Sequence, residues 1–194
     1  HPPGVIPAGD AVPVTITMAE SVHVDSVAVF YAQGGARSFQ RVTTSLVRRD
    51  SVSDSYQVAI PGSAAGPRGL RFYATAYNGP VSRSIPPAAE PIALRTRIPE
   101  LRFDTPQPAS VYRIISFPLE LPINTIPLSL FIDDLGPQSD TAWRIFSWDP
   151  SLPGYAEVPL LPVEQGRSYW LIARRGAELD TEPIIGMSMP ADSS

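Results

Sequence analysis

The sequence predicts an all-β protein of two tandem β-sandwich-like domains joined by a proline-rich connector. Three observations predict it. There are 23 prolines in 194 residues, and proline breaks a helix interior by removing a backbone donor and clashing with the preceding turn. Short runs of alternating polarity are bounded by Gly, Pro, Ser and Asp clusters, the pattern of strands and turns. The length fits one large domain or two of about 100 residues, and the proline-dense stretch 86–108, which separates two sets of such runs, favours two. The first domain takes residues 1–95, with 1–10 as an extended arm. The second takes 100–194 and ends in a frayed tail.

In the first half, "VPVTITM" (12–18) sets Val12, Val14, Ile16 and Met18 on one face. "VDSVAVFYA" (24–32) is a central strand that turns at "QGG". "FQRVTTSLVRR" (39–49) sets Val42, Thr44 and Leu46 on one side as a single strand. "YQVAIPG" (56–62) points Tyr56, Val58 and Ile60 inward. "LRFYATAYNG" (70–79) puts Leu70, Phe72, Ala74 and Ala76 on one face and Arg71, Tyr73, Thr75 and Tyr77 on the other. Asn78-Gly79 marks a tight turn there. "VSRSIP" (81–86) adds a last strand, and "IALRTRI" within the connector suits an edge strand of either domain.

Six or seven short strands in about 85 residues fit an immunoglobulin-like sandwich. The succession "VDSVAVFYAQGG", "YQVAIPG", "GLRFYATAYNGP" also resembles immunoglobulin-like and fibronectin-III-like modules of large bacterial surface and secreted proteins. The resemblance covers residues 10–85. It implies a fold and leaves function open, because such sandwiches host unrelated activities.

The second half runs through "VYRIISFPLELP" (111–122), "LSLFIDDLG" (128–136), "AWRIFSWDP" (142–150), "GYAEVP" (154–159) and "GRSYWLIARRG" (166–176). "YRIISFPLELP", "WRIFSWDPSLPGYAEV" and "EQGRSYWLIAR" resemble, in order and spacing, a small β-module of secreted multidomain proteins. That module opens on a "WNLISLP"-type strand and closes on a "GxGYWL"-type strand. Ser168 stands where the closing motif has its second glycine. The resemblance brings no catalytic residues. "IDDLGPQSD" (132–140) suits a short helix or structured loop, and a last strand is expected around Ile184–Met187.

Composition narrows the chemistry. The net charge is −4 and charged residues are 18% of the chain, against about 25% in soluble domains. A nucleic-acid partner would need a basic stripe. All 15 basic residues are arginine, and they are not clustered. Absence of cysteine excludes disulfides, thiolate chemistry and iron–sulfur clusters. The chain opens "HPPGVIPAGD", which suits a mature protein after signal-peptide removal, or a fragment. No run approaches 18 apolar residues, so no membrane-spanning helix is expected.

Candidate chemical residues are few. His23 and Asp25 are two apart and share a strand face, but no GxSxG nucleophile elbow accompanies them. The carboxylates Asp133, Asp134 and Asp140, or Asp149 with Glu157, are the options for paired-acid chemistry. "DDLGPQSD" lacks the ligand spacing of an EF-hand. "AQGGARS" and "PGSAAGPRG" lack the GK[ST] ending of a phosphate loop. No catalytic, cofactor or metal site is expected.

The aromatic stretch "TAWRIFSWDP" (141–150) carries the remaining signal. Strand alternation puts Trp143, Ile145 and Ser147 on one face and Arg144, Phe146 and Trp148 on the other. Trp143 is expected in the core. Trp148, with Tyr155 beyond the "DPSLPGY" turn, is the expected contact surface, while the resemblance to the small β-module, whose strand positions Tyr112, Trp143, Tyr155, Tyr169 and Trp170 occupy, implies packing for those five. The expected function is a non-catalytic structural protein of the bacterial cell envelope, periplasmic or extracellular. It would be an accessory subunit docking by protein–protein contacts on the periplasmic or outer face of a larger assembly, such as a photosynthetic or respiratory membrane complex. The alternative is an adhesion or carbohydrate-binding module of a large secreted protein or hydrolase, with a glycan stacked on the aromatics.

Overall fold

The computed structural model of the chain describes residues 4–19, 24–49, 52–151 and 153–188. The fold is mostly β, with one short α-helix among the described residues. The chain divides into two compact units, residues 1–97 with 188–194, and residues 98–187. His1, His23 and the C-terminal tail lie outside the described residues.

In the first unit, β1 (Val5–Pro7), β2 (Val12–Ala19), β3 (Ser26–Gln33), β4 (Gln40–Thr43), β5 (Ser45–Arg49), β6 (Ser53–Ile60), β7 (Leu70–Asn78), β8 (Val81–Ile85) and β9 (Ile92–Ile98) follow in chain order. One sheet runs β2–β6–β5. The other runs β1–β9–β7–β3–β4. β8 shares the β9 edge of β7: β9 pairs Leu70–Phe72 and β8 pairs Ala74–Asn78. Val12, Val14 and Ile60 of the first sheet and Val29, Tyr31, Leu70, Phe72 and Leu94 of the second form one buried core. The unit is therefore a two-layer sandwich, closed by alternation of inward apolar and outward polar positions.

Two features differ from the sequence reading. Residues 39–49 are two strands in two sheets, since the chain crosses over at Thr44. That residue donates both its amide and its hydroxyl to Val27 O, at 3.3 and 2.7 Å. Leu46 consequently lies exposed on β5, away from half-buried Val42. Ile6 of the N-terminal arm is a core residue, because β1 pairs in parallel with β9. β9 itself lies within the proline-dense stretch. Between Pro91 and Pro99 every residue keeps its backbone donor, which leaves seven residues free to join a ladder. Thr96 N–H donates to Ser188 Oγ, and Ser188 N–H to Thr96 O, both at 2.8 Å.

In the second unit, β10 (Arg113–Ser116), α1 (Pro127–Leu135), β11 (Trp143–Trp148), β12 (Tyr155–Glu157), β13 (Ser168–Ala173) and β14 (Gly186–Met187) follow. β10–β13–β11–β12 form a four-stranded antiparallel sheet. The segment "LSLFIDDLG" is a helix. Pro127 occupies the first turn, where its missing donor costs nothing. Pro127, Leu130 and Phe131 fall on one stripe at i, i+3 and i+4 and are buried. The helix covers the inner sheet face, where Leu130 and Phe131 join Ile115, Phe117, Trp143, Ile145, Tyr169 and Leu171 in one core. Among the described residues, a helix thus covers this sheet where a second sheet was expected.

Candidate functional site

The second unit's sheet is asymmetric in a way that register explains. On β11, Trp143, Ile145 and Ser147 point inward and are almost fully buried. Trp143 is 1% exposed, and its indole Nε1 donates to Gly136 O at 2.9 Å. Arg144, Phe146 and Trp148 therefore point outward. Antiparallel pairing sets Phe146 opposite Trp170 of β13, Trp170 opposite Ile114 of β10, and Trp148 opposite Tyr155 of β12. Tyr112, just before β10, reaches the same row: its ring lies 6.2 Å from Phe146 and 6.4 Å from Trp170.

The outer face thus carries five aromatic rings from four chain segments. Trp148 and Tyr155 are each 54% exposed, and their rings meet edge to face at 5.3 Å. Tyr155 meets Trp170 at 6.2 Å and 86°. Tyr112, Phe146, Tyr155 and Trp170 line a groove of about 350 Å³. Ile114 extends the apolar surface, with more than half of it exposed. Two arginines beside this surface are paired. The Arg144 guanidinium lies 4.8 Å from the Phe146 ring centroid and donates to both Glu157 carboxylate oxygens, at 3.1 and 2.7 Å. Hydrogen bonding to Glu157 raises the already high pKa of Arg144. Arg167 bridges Glu164 at 2.8 Å and donates to Trp148 O at 3.0 Å.

The two aromatics singled out in the sequence, Trp148 and Tyr155, are in contact on this face. Phe146, Tyr112 and Trp170 were not assigned to it. Alternation places each residue on a side of its own strand, but only the β11–β13 register puts Phe146 beside Trp170. The adjacent pair Tyr169-Trp170 held a usable signal, because neighbours on a strand face opposite ways and both cannot be core. Tyr169 is the buried one, with its phenol accepting Glu164 N–H at 2.8 Å.

Four of the six candidate acids are held by neighbours. Asp25 accepts Gly79 N–H at 2.6 Å; its partner in the His–Asp pairing, His23, lies outside the described residues. Asp134 accepts Asp180 N–H at 3.0 Å, and burial pushes its carboxyl above the ordinary range. Asp149 accepts the amide and hydroxyl of Ser151, which hold its carboxyl below that range. Glu157 is taken by Arg144. Asp133 and Asp140 are exposed. Glu100, Asp180 and Glu182 bring carboxylate oxygens within 4.8 Å of one another. Glu100 is bonded to Arg102, however, and Asp180 to Glu182 N–H. Asp134, Arg174 and Arg175 line a separate cavity of about 510 Å³.

No family model, curated protein or solved structure matches this chain. No helix among the described residues is long and apolar enough to cross a membrane.

Proposed function

We propose that the protein is a non-catalytic structural subunit that docks onto a larger protein assembly through the outer face of the β10–β13–β11–β12 sheet. One observation carries this reading: five aromatic side chains and Ile114 share a solvent face, and the two arginines beside it, Arg144 and Arg167, are neutralised by Glu157 and Glu164. A contiguous apolar face of this kind, rimmed by polar residues, marks an interaction surface. Tyr and Trp are the residues that most often dominate docking energy. The setting we propose is the periplasmic or outer face of a cell-envelope complex of an exporting bacterium. The cysteine-free, proline-rich composition supports it. We further propose that the first unit is an immunoglobulin-like sandwich; its β2–β6–β5 and β1–β9–β7–β3–β4 pairing order supports that assignment.

A glycan is the weaker reading, and ring geometry disfavours it. Sugar platforms need near-coplanar exposed rings, whereas the contacts here are tilted by 54° to 86°. The test is site-specific photo-crosslinking in the native membranes, with benzoylphenylalanine in place of Tyr155. The expected result is a covalent adduct with a defined protein subunit, lost on Trp170→Ala. Adducts with glycan alone, or a yield unaffected by Trp170→Ala, would overturn the proposal.

A further inference from the structure

The groove restricts what a docked segment can look like. Its floor is the middle of a sheet, since β13 pairs with both β10 and β11, and β11 with both β13 and β12. No unpaired backbone is available there, so a partner cannot add as a strand and is recognised through side chains alone. The walls are rings set nearly at right angles. Tyr112 and Trp170 meet at 82° and 6.4 Å, and Trp170 and Tyr155 at 86° and 6.2 Å. Trp170 therefore stands between Tyr112 and Tyr155 in one row of rings that lines the groove.

We infer that this groove receives a proline-rich segment of the partner protein in the extended polyproline II conformation. The inference rests on the docking role proposed above. A polyproline II helix rises about 3.1 Å per residue with three residues per turn, so two of every three side chains lie against a flat surface, and a two-residue step covers about 6.2 Å. That step matches the ring-to-ring spacing on either side of Trp170. Aromatic-lined grooves select such segments because the ligand is pre-ordered and loses little entropy on binding. Charge complementarity points the same way. The four lining residues carry no ionised group, and Arg144 and Arg167 beside them are neutralised by Glu157 and Glu164. An uncharged segment fits this environment. Its carbonyls have no internal partners and complement the phenol and indole donors of Tyr112, Tyr155 and Trp170, for which no hydrogen bond occurs among the described residues.

The experiment is a titration of the full chain with a decaproline peptide, followed by backbone amide NMR shifts and tryptophan emission. A glycine–serine peptide of equal length and chitohexaose serve as the other arms. The expected result is saturable decaproline binding with shifts confined to β10, β11, β12 and β13 and their outer-face neighbours. Trp170→Ala or Tyr112→Ala should weaken binding by roughly tenfold or more. Trp170→Phe and Tyr112→Phe, which keep the ring and the fold, should give smaller losses. No decaproline binding up to about 1 mM, or shifts elsewhere on the chain, overturns the inference. If the Tyr155 photo-adduct with a protein persists in that case, the docking role stands and only the polyproline assignment falls. Chitohexaose binding that depends on Trp170 overturns both.

Discussion

Both units carry aromatic side chains on the solvent face of a sheet, and the two faces are finished differently. In the first unit Phe30 and Tyr73 stack nearly parallel, 8° apart with centroids at 5.1 Å. Phe39 meets Tyr73 edge on. Arginines cover what remains: Arg71 lies over Phe39 at 5.5 Å and Arg41 over Tyr77 at 5.8 Å. Arg71 is also pinned by donation to Ala36 O at 2.7 Å. These rings use one another and the cations as cover, and Phe30, Phe39, Tyr73 and Tyr77 are all partly buried. In the second unit a single arginine, Arg144, lies over a ring of the face. Tyr112, Trp148 and Tyr155 are each more than half exposed. The lesson is that aromatic content does not mark an interaction surface. What separates the two faces is how much of each ring stays exposed.

The contrast can be broken by mutation. The largest effect belongs beneath the second face. Trp143→Ala removes a buried ring that meets Phe131 edge on and should cost about 3–5 kcal/mol in chemical denaturation. Trp148→Ala, on the other side of the same strand, should cost under about 1 kcal/mol. Similar losses for the two would mean that the outer face is structural. Next in size is Tyr73→Ala, which removes both a stacked and an edge contact and should cost about 2 kcal/mol. Tyr155→Ala should again stay under about 1 kcal/mol. A reversal of that order would remove the distinction between a self-covered and an open face.

Smaller still is the rim ion pair. Glu157→Gln should lower stability only slightly at low salt, with the loss fading as salt is added, because the pair is partly exposed. The smallest effects concern pH. Asp134 binds its proton more tightly folded than unfolded, so its contribution is present at low pH and lost as pH rises through its raised folded value. Asp149 is the opposite case. Its contribution is present above the ordinary carboxylate pKa of about 3.9 and lost as pH falls through its lowered folded value. Asp134→Asn should therefore flatten the decline in stability on the alkaline side of that range, and Asp149→Asn the decline on the acid side. Urea midpoints measured across the acid range check both signs.

Much of this was legible in the sequence because alternation is a local property. The opposed destinies of Trp143 and Trp148, and the split of Leu70–Phe72 from Arg71–Tyr73, follow from a two-residue period. What the sequence hid was non-local. The crossover at Thr44 depends on Val27 O lying within reach, seventeen residues away. The helix at Pro127–Leu135 reads equally as an apolar strand until the inner sheet face beneath it is known. The groove depends on registers that bring together Tyr112, Phe146, Tyr155 and Trp170 from four segments, and the resemblance to the small β-module implied packing for Tyr112 and Trp170.

The central claim is that the second unit's aromatic face is open and docks a protein while the first unit's face does not. Photo-crosslinking in native membranes tests it most directly, with the same benzoylphenylalanine probe in place of Tyr155 in one protein and of Tyr73 in another. The account predicts a discrete protein adduct from position 155, abolished by Trp170→Ala, and none from position 73. Equal adducts from both positions, or none from position 155, would contradict it.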